Sequence, residues 1–140
     1  MNNLEKAKKM LLESEYTCVL CSDDDIKTST KRGVAPLLQW LDEGENLSGY
    51  SAADKVIGKG AAFLYVLLGI KEVYANVISR RALETLENNN IYVKYKMLAE
   101  AILNRDNTGF CPIETAVCGI SEPDAALAEI RETIKRLKGE

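Results

Sequence analysis

The stretch Ser51-Ala52-Ala53-Asp54-Lys55-Val56-Ile57-Gly58-Lys59-Gly60-Ala61-Ala62 decides how this chain is read, because it leads into the most apolar segment of the sequence, Phe63 to Ile70. From Asp54 to Leu68 nearly every position past the first turn is apolar or small. The spacing therefore predicts a helix that is apolar around most of its circumference, hence internal, and closed by Gly69. Asp54, Lys55 and Val56 then stand at the helix mouth, where free N–H groups favour an anion and Lys55 and Lys59 project from adjoining turns. The ordinary structural alternative is a Ser51–Asp54 capping box, glycines that allow close helix–sheet packing, and solvated lysines.

Outward toward the C-terminus, Lys71–Ile78 reads as a strand, Ser79 as the cap of a helix through Leu83 and Leu86, and Ile91–Tyr95 as another strand. Strand, helix, strand implies a right-handed parallel crossover. Met97–Leu103 is expected to be helical, Asn104–Gly109 a loop, and Phe110–Val117 the start of a short helical piece. Ser121 to Asp124 opens a last helix with a buried stripe of Leu127, Ile130, Ile134 and Leu137. Toward the N-terminus, Gly33-Val34-Ala35-Pro36 starts a helix stopped by Gly44, and residues 16–30 read as a β-hairpin turning at Asp23-Asp24-Asp25. Leu4, Ala7, Lys8, Leu11 and Leu12 mark one face of a first helix. The sum is an α/β chain: a three-layer α/β/α sandwich with a mixed sheet, expected to form one domain over residues 1–140.

Composition narrows the function classes. The 140 residues carry a formal charge of -3, with 46% hydrophobic and 28% charged residues and no histidine. The charge gives no general attraction to nucleic acid, so small molecules or proteins are the expected partners. The N-terminus has no continuous apolar region of a signal peptide, and the longest apolar run is too short to span a bilayer, so no membrane partner and a cytoplasmic location are expected. There Cys18, Cys21, Cys111 and Cys118 are expected as thiols.

The order of elements, with GVAPLL (33–38), DKVIGKGAA (54–62) and CPIE (111–114), resembles a prokaryotic family of unknown function assigned to the cytidine deaminase-like fold. The resemblance covers most of residues 2–137. It implies a mixed sheet in which a hairpin is followed by βα units, with a buried helix reaching the active-site end. Zinc deaminases place H-x-E at the start of that helix and P-C-x-x-C at the start of the next. Here the corresponding expected positions are Asp54-Lys55-Val56 and Ser79-Arg80-Arg81-Ala82, which offer neither thiol nor imidazole, so zinc is not expected.

Three constellations remain. Asp54 with Lys55 and Lys59 is one, and Ser79 with Arg80, at the carboxyl end of a parallel strand, is another. The third is Cys111-Pro112-Ile113-Glu114, a thiol at a helix start with a carboxylate one turn later, which could be a nucleophile or simply a buried cysteine. Without histidine no papain-like mechanism is open to it. The Cys18-Val19-Leu20-Cys21 spacing suggests a metal or redox pair, but in a strand the two side chains point to opposite faces. The sequence thus leads to a zinc-free deaminase-like domain with a pocket for a small, nucleotide-like or anionic molecule, without cofactor. Asp54, Lys55, Cys111 and Glu114 are the catalytic candidates, and Lys59, Ser79 and Arg80 the ligand-binding ones. The alternative is a non-catalytic metabolite-binding or regulatory protein, with apolar faces on the first and last helices supporting a homo-oligomer.

Overall fold

Strands β1 (Cys18–Cys21), β2 (Ile26–Ser29), β3 (Ser51–Ile57), β4 (Glu72–Ser79) and β5 (Tyr92–Ala99) form a sheet in the order β2-β1-β3-β4-β5 in the computed structural model, which describes residues 2–102 and 111–139. The β1–β2 hairpin forms as expected, its turn held by Ser22 and Asp25, and β1 runs antiparallel to β3 with Cys18 opposite Asp54. β3, β4 and β5 are parallel, joined by helices α3 (Lys59–Leu68) and α4 (Arg80–Asn88).

Helix α1 (Asn3–Glu13) covers one face, burying Leu4, Ala7 and Leu11 against Val19, Cys21, Ala53 and Tyr74. The other face carries α2 (Ala35–Glu43), α3, α4, α5 (Pro112–Val117) and α6 (Pro123–Leu137) over a larger core that includes Leu20, Leu37, Trp40, Leu64, Ile78 and Ile130. These are the three layers of the expected sandwich. Cys18 belongs to the larger core and Cys21 to the smaller, so the C-x-x-C pair is split between faces.

Four local expectations are corrected. The segment Ser51–Ile57 is a strand, and the internal helix begins only at Lys59 after an extended Gly58. Ala52 and Ala53 are good helix formers, but each is fully buried between the sheet and a helical layer, where small side chains fit and burial overrides propensity. Ser51 and Asp54 are therefore strand residues and form no capping box; Ser51 Oγ instead donates to the Glu72 carboxylate. The stretch from Met97 continues β5 through Ala99 rather than forming a helix, and the expected loop Asn104–Gly109 lies outside the described residues. Helix α6 buries Ala126, Ile130 and Thr133, while Leu127 and Ile134 are partly buried and Leu137 is 64% exposed at its last position. On α1, Leu12 is likewise exposed, and Lys8 lies over the Tyr74 ring.

Strand alternation slips by one residue at the end of β3. Asp54 points to the helix α3 side, as Ile57 does three residues later, while Lys55 and Val56 between them are both exposed.

Candidate small-molecule site

Asp54 is the pivotal residue. It is 8% exposed, yet it lines a cavity of about 220 Å³ at the carboxyl end of β3. Tyr65, fully buried on α3 eleven residues later, donates its hydroxyl proton to Asp54 Oδ2 at 2.7 Å, and the Cys18 thiol lies 3.1 Å from the Tyr65 oxygen. The Val56 N–H reaches Oδ1 at 3.4 Å. Burial pushes the Asp54 carboxyl up from its ordinary 3.8 to about 7, against the hydrogen bonds from Tyr65 and the Val56 and Lys55 backbone, which favour the charged form. Burial likewise pushes the Cys18 thiol and the Tyr65 hydroxyl well above their ordinary ranges, and the nearby Asp54 charge adds to both. Asp54 can therefore gain or lose a proton near neutrality while its two neighbours keep theirs.

The start of α3 is used differently from the sequence expectation. Its first free N–H groups belong to Lys59 and Gly60, and both are taken by one carboxylate: Glu114 Oε1 accepts from Lys59 at 2.8 Å and Oε2 from Gly60 at 3.0 Å. A negative side chain at the positive helix end is favourable and satisfies two donors the helix cannot. The approach is so close that a Cβ at Gly58 would lie 2.5 Å from Glu114 Cδ, and one at Gly60 2.6 Å from Ile113 Cγ2. An external anion at this helix end would have to displace Glu114.

The cavity is walled by Val34, Pro36, Ala61, Ile102 and Ile113, with Arg32, Lys55, Cys111 and Glu114 also lining it. Of the sequence candidates it thus gathers Asp54, Lys55, Cys111 and Glu114. It does not gather the other three. Lys59 Nζ donates to the Cys118 carbonyl oxygen at 3.1 Å and lies over the Phe63 ring; buried Ser79 caps α4 by accepting from the Ala82 N–H; Arg80 pairs with Glu100 at 2.8 Å on the surface. Ser79 lines a neighbouring cavity with Arg81, Glu100 and Cys118, separated from the first by Glu114 and Ile102, which line both.

Sequence reasoning missed Arg32, Tyr65 and the role of Cys18. Tyr65 reads as core in an apolar helix; its one available signal is that a buried tyrosine hydroxyl must find a partner. Arg32 carries no local signal, since its place in the cavity depends on where the turn before α2 meets β3.

The positions that would hold zinc in a deaminase, the starts of α3 and α4, carry Gly58-Lys59-Gly60 and Ser79-Arg80-Arg81. Among the described residues, no group of three His, Cys, Asp or Glu comes together. Lysine, serine and arginine are not a zinc donor set, and the adjacent carboxylate is committed to backbone N–H groups, so the residues present do not fit that ion.

A family model described as TM1506: Domain of unknown function (DUF1893) matches residues 6–134. The chain belongs to the DUF1893 family. The crystal structure of a DUF1893 family protein (TM1506) from Thermotoga maritima is similar at a TM-score of 0.84 and 25% identity, over 96% of this chain and 90% of that one. A diaminohydroxyphosphoribosylaminopyrimidine deaminase/5-amino-6-(5-phosphoribosylamino)uracil reductase from the same organism aligns with a TM-score of 0.44 and 15% identity, over 81% of this chain and 40% of that one. No curated protein matches the chain. The expected three-layer α/β sandwich with a mixed sheet stands. No helix among the described residues is long and apolar enough to cross a membrane.

Proposed function

We propose that this DUF1893 chain is a cytoplasmic, zinc-free deaminase-like domain that binds a small molecule in the Asp54 cavity. The observation that carries the reading is a nearly buried carboxyl that titrates near neutrality at the wall of a mostly apolar cavity, with Arg32 and Lys55 lining it too. Perturbed acids in clefts of this kind mark functional sites. The ligand class that fits is a compact molecule with a protic donor for Asp54 and an anionic group for Arg32 and Lys55, a description that includes nucleotide-like compounds.

Asp54 is the general acid/base candidate, because its proton affinity is matched to neutral pH. Lys55 and Arg32 would stabilise negative charge developing on the bound molecule. Glu114 holds the wall between α5 and α3, and Cys111 remains a candidate nucleophile. A non-catalytic metabolite sensor is the second reading, favoured by Glu114 being committed to the backbone and by exposed apolar residues, Leu12 and Leu137 among them, that a homo-oligomer would cover.

A thermal-shift screen of nucleosides, nucleotides and small carboxylates on the wild type, Asp54→Asn, Arg32→Ala and Lys55→Ala tests both readings. Saturable stabilisation of the wild type, abolished in Asp54→Asn and weakened in the two cation variants, is the expected result. Turnover of the bound compound selects the enzyme, and binding without turnover the sensor. No stabilisation by any compound, or equal stabilisation of all four proteins, sinks the cavity reading, and stoichiometric zinc in the purified protein overturns the zinc-free assignment.

A further inference from the structure

Asp54 does not meet the cavity with two equivalent oxygens. Tyr65 has a single hydroxyl proton, which it donates to Asp54 Oδ2 across 2.7 Å between the two oxygens, the short distance of a hydroxyl donating to a carboxylate. Having spent its proton there, the Tyr65 oxygen can only accept from its other neighbour, the Cys18 sulfur at 3.1 Å, which must supply an S–H. Both residues are buried in the larger core, with no solvent to take over either role.

We propose that Cys18 and Tyr65 are positioning residues for Asp54. They form a one-way donor chain, Cys18 S–H to Tyr65 O–H to Asp54 Oδ2, that commits Oδ2 and leaves Oδ1, met by the Val56 N–H at a long 3.4 Å, to exchange a proton or hydrogen bond with the occupant of the cavity. The proposal rests on the reading of Asp54 as the functional carboxyl. A chain of this direction fixes the carboxyl plane and prevents the proton from settling on the inner oxygen, since a donor would then face a donor. It also explains a tyrosine and a cysteine at two fully buried positions where Phe and Val would pack at no polar cost.

The groups that bear on Asp54 are few. Cys18 comes from β1 and Tyr65 from α3, the Lys55 and Val56 N–H groups belong to its own strand, and Arg32, Lys55, Cys111 and Glu114 line the shared cavity.

The test is a carbon-13 NMR titration of the Asp54 side-chain carboxyl in the full chain without ligand, assigned by its disappearance in Asp54→Asn. Removing the donor in Tyr65→Phe takes away a bond made to the charged form, so the midpoint rises by about one pH unit, roughly tenfold in proton affinity. Cys18→Val, which leaves Tyr65 without its donor, shifts it in the same direction by less, and Cys18→Ser, which keeps a donor, does not shift it upward. An unchanged or lowered midpoint in Tyr65→Phe overturns the proposal, because a chain running the opposite way would favour the neutral acid and a merely structural tyrosine would alter stability alone. Should Tyr65→Phe fail to fold, the sign of the Cys18→Val shift decides in the same way. Because no ligand is needed, this outcome is independent of the ligand screen: a shift with no ligand found spares the donor chain and sinks the cavity reading, and the converse separates them equally.

Discussion

Replacing Asp54 by Asn should stabilise the protein in a way that grows with pH. A carboxyl whose folded-state affinity is raised from 3.8 to about 7 keeps its proton in the native state over a range where the unfolded chain has released it. The native state then binds more protons than the unfolded state, so wild-type stability falls as pH rises through that window and the loss is complete above about pH 7. At about 1.4 kcal/mol per unit the full cost is roughly 4 kcal/mol, of which roughly 2–3 kcal/mol falls between pH 5 and pH 8. Asparagine carries no such cost. Urea unfolding followed through the single tryptophan, the buried Trp40, measures both proteins at the two pH values. The chain has no histidine, so the window is unusually free of competing titrations, and stopping at pH 8 keeps Cys18 and Tyr65 protonated. The Asn variant should gain roughly 2–3 kcal/mol on the wild type from pH 5 to pH 8. A difference that stays constant, or shrinks as pH rises, would refute the buried-acid argument and with it the case for Asp54 as an acid/base near neutrality.

Three other outcomes follow from the geometry. Gly58→Ala should cost roughly 1–3 kcal/mol, because its Cβ would lie 2.5 Å from Glu114 Cδ, and the same change in an Glu114→Ala background should cost clearly less, a coupling that a double-mutant cycle by urea unfolding reads out. Arg80→Ala removes an exposed ion pair to Glu100 and should leave both the unfolding stability and any ligand affinity of the Asp54 cavity in the thermal-shift titration essentially unchanged. In the native protein, iodoacetamide followed by mass spectrometry should label Cys118 and Cys111, which are exposed and half-buried, and spare Cys18 and Cys21, which are buried in the two cores, until urea unfolds the chain.

Much of the sandwich was legible because its signals are local. Gly44 and Gly69 end their helices in left-handed conformations, Pro36 and Pro123 sit in first turns, Ser79 caps α4, and the aspartates turn the hairpin, each for a reason contained within a few residues. The strand Ser51–Ile57 was not legible because its identity is set by what lies above and below it. An Ala-Ala-Asp-Lys run prefers helix in isolation, and only the pairing with β1 and β4 and the burial of both alanines make it the middle strand. The same error misplaced Asp54, moving it from the middle of a strand beside the cavity to a helix mouth. Lys59 was expected at that mouth for the same reason, and Ser79 and Arg80 separately at the carboxyl end of the next strand; each of the three has a partner elsewhere.

That displaced anion site explains why two distant strings of sequence belong together. GKG at 58–60 and CPIE at 111–114 meet at one contact: the glycines lack the Cβ atoms that would exclude Glu114 and Ile113, and Glu114 supplies the negative charge that the helix end attracts. Each string makes sense only with the other. The helix dipole, a favoured place for a ligand in open α/β sheets, is here consumed in closing the wall between α3 and α5. Recognition in the adjoining cavity must then rest on side chains, among them Asp54, whose carboxyl burial has moved into the neutral range.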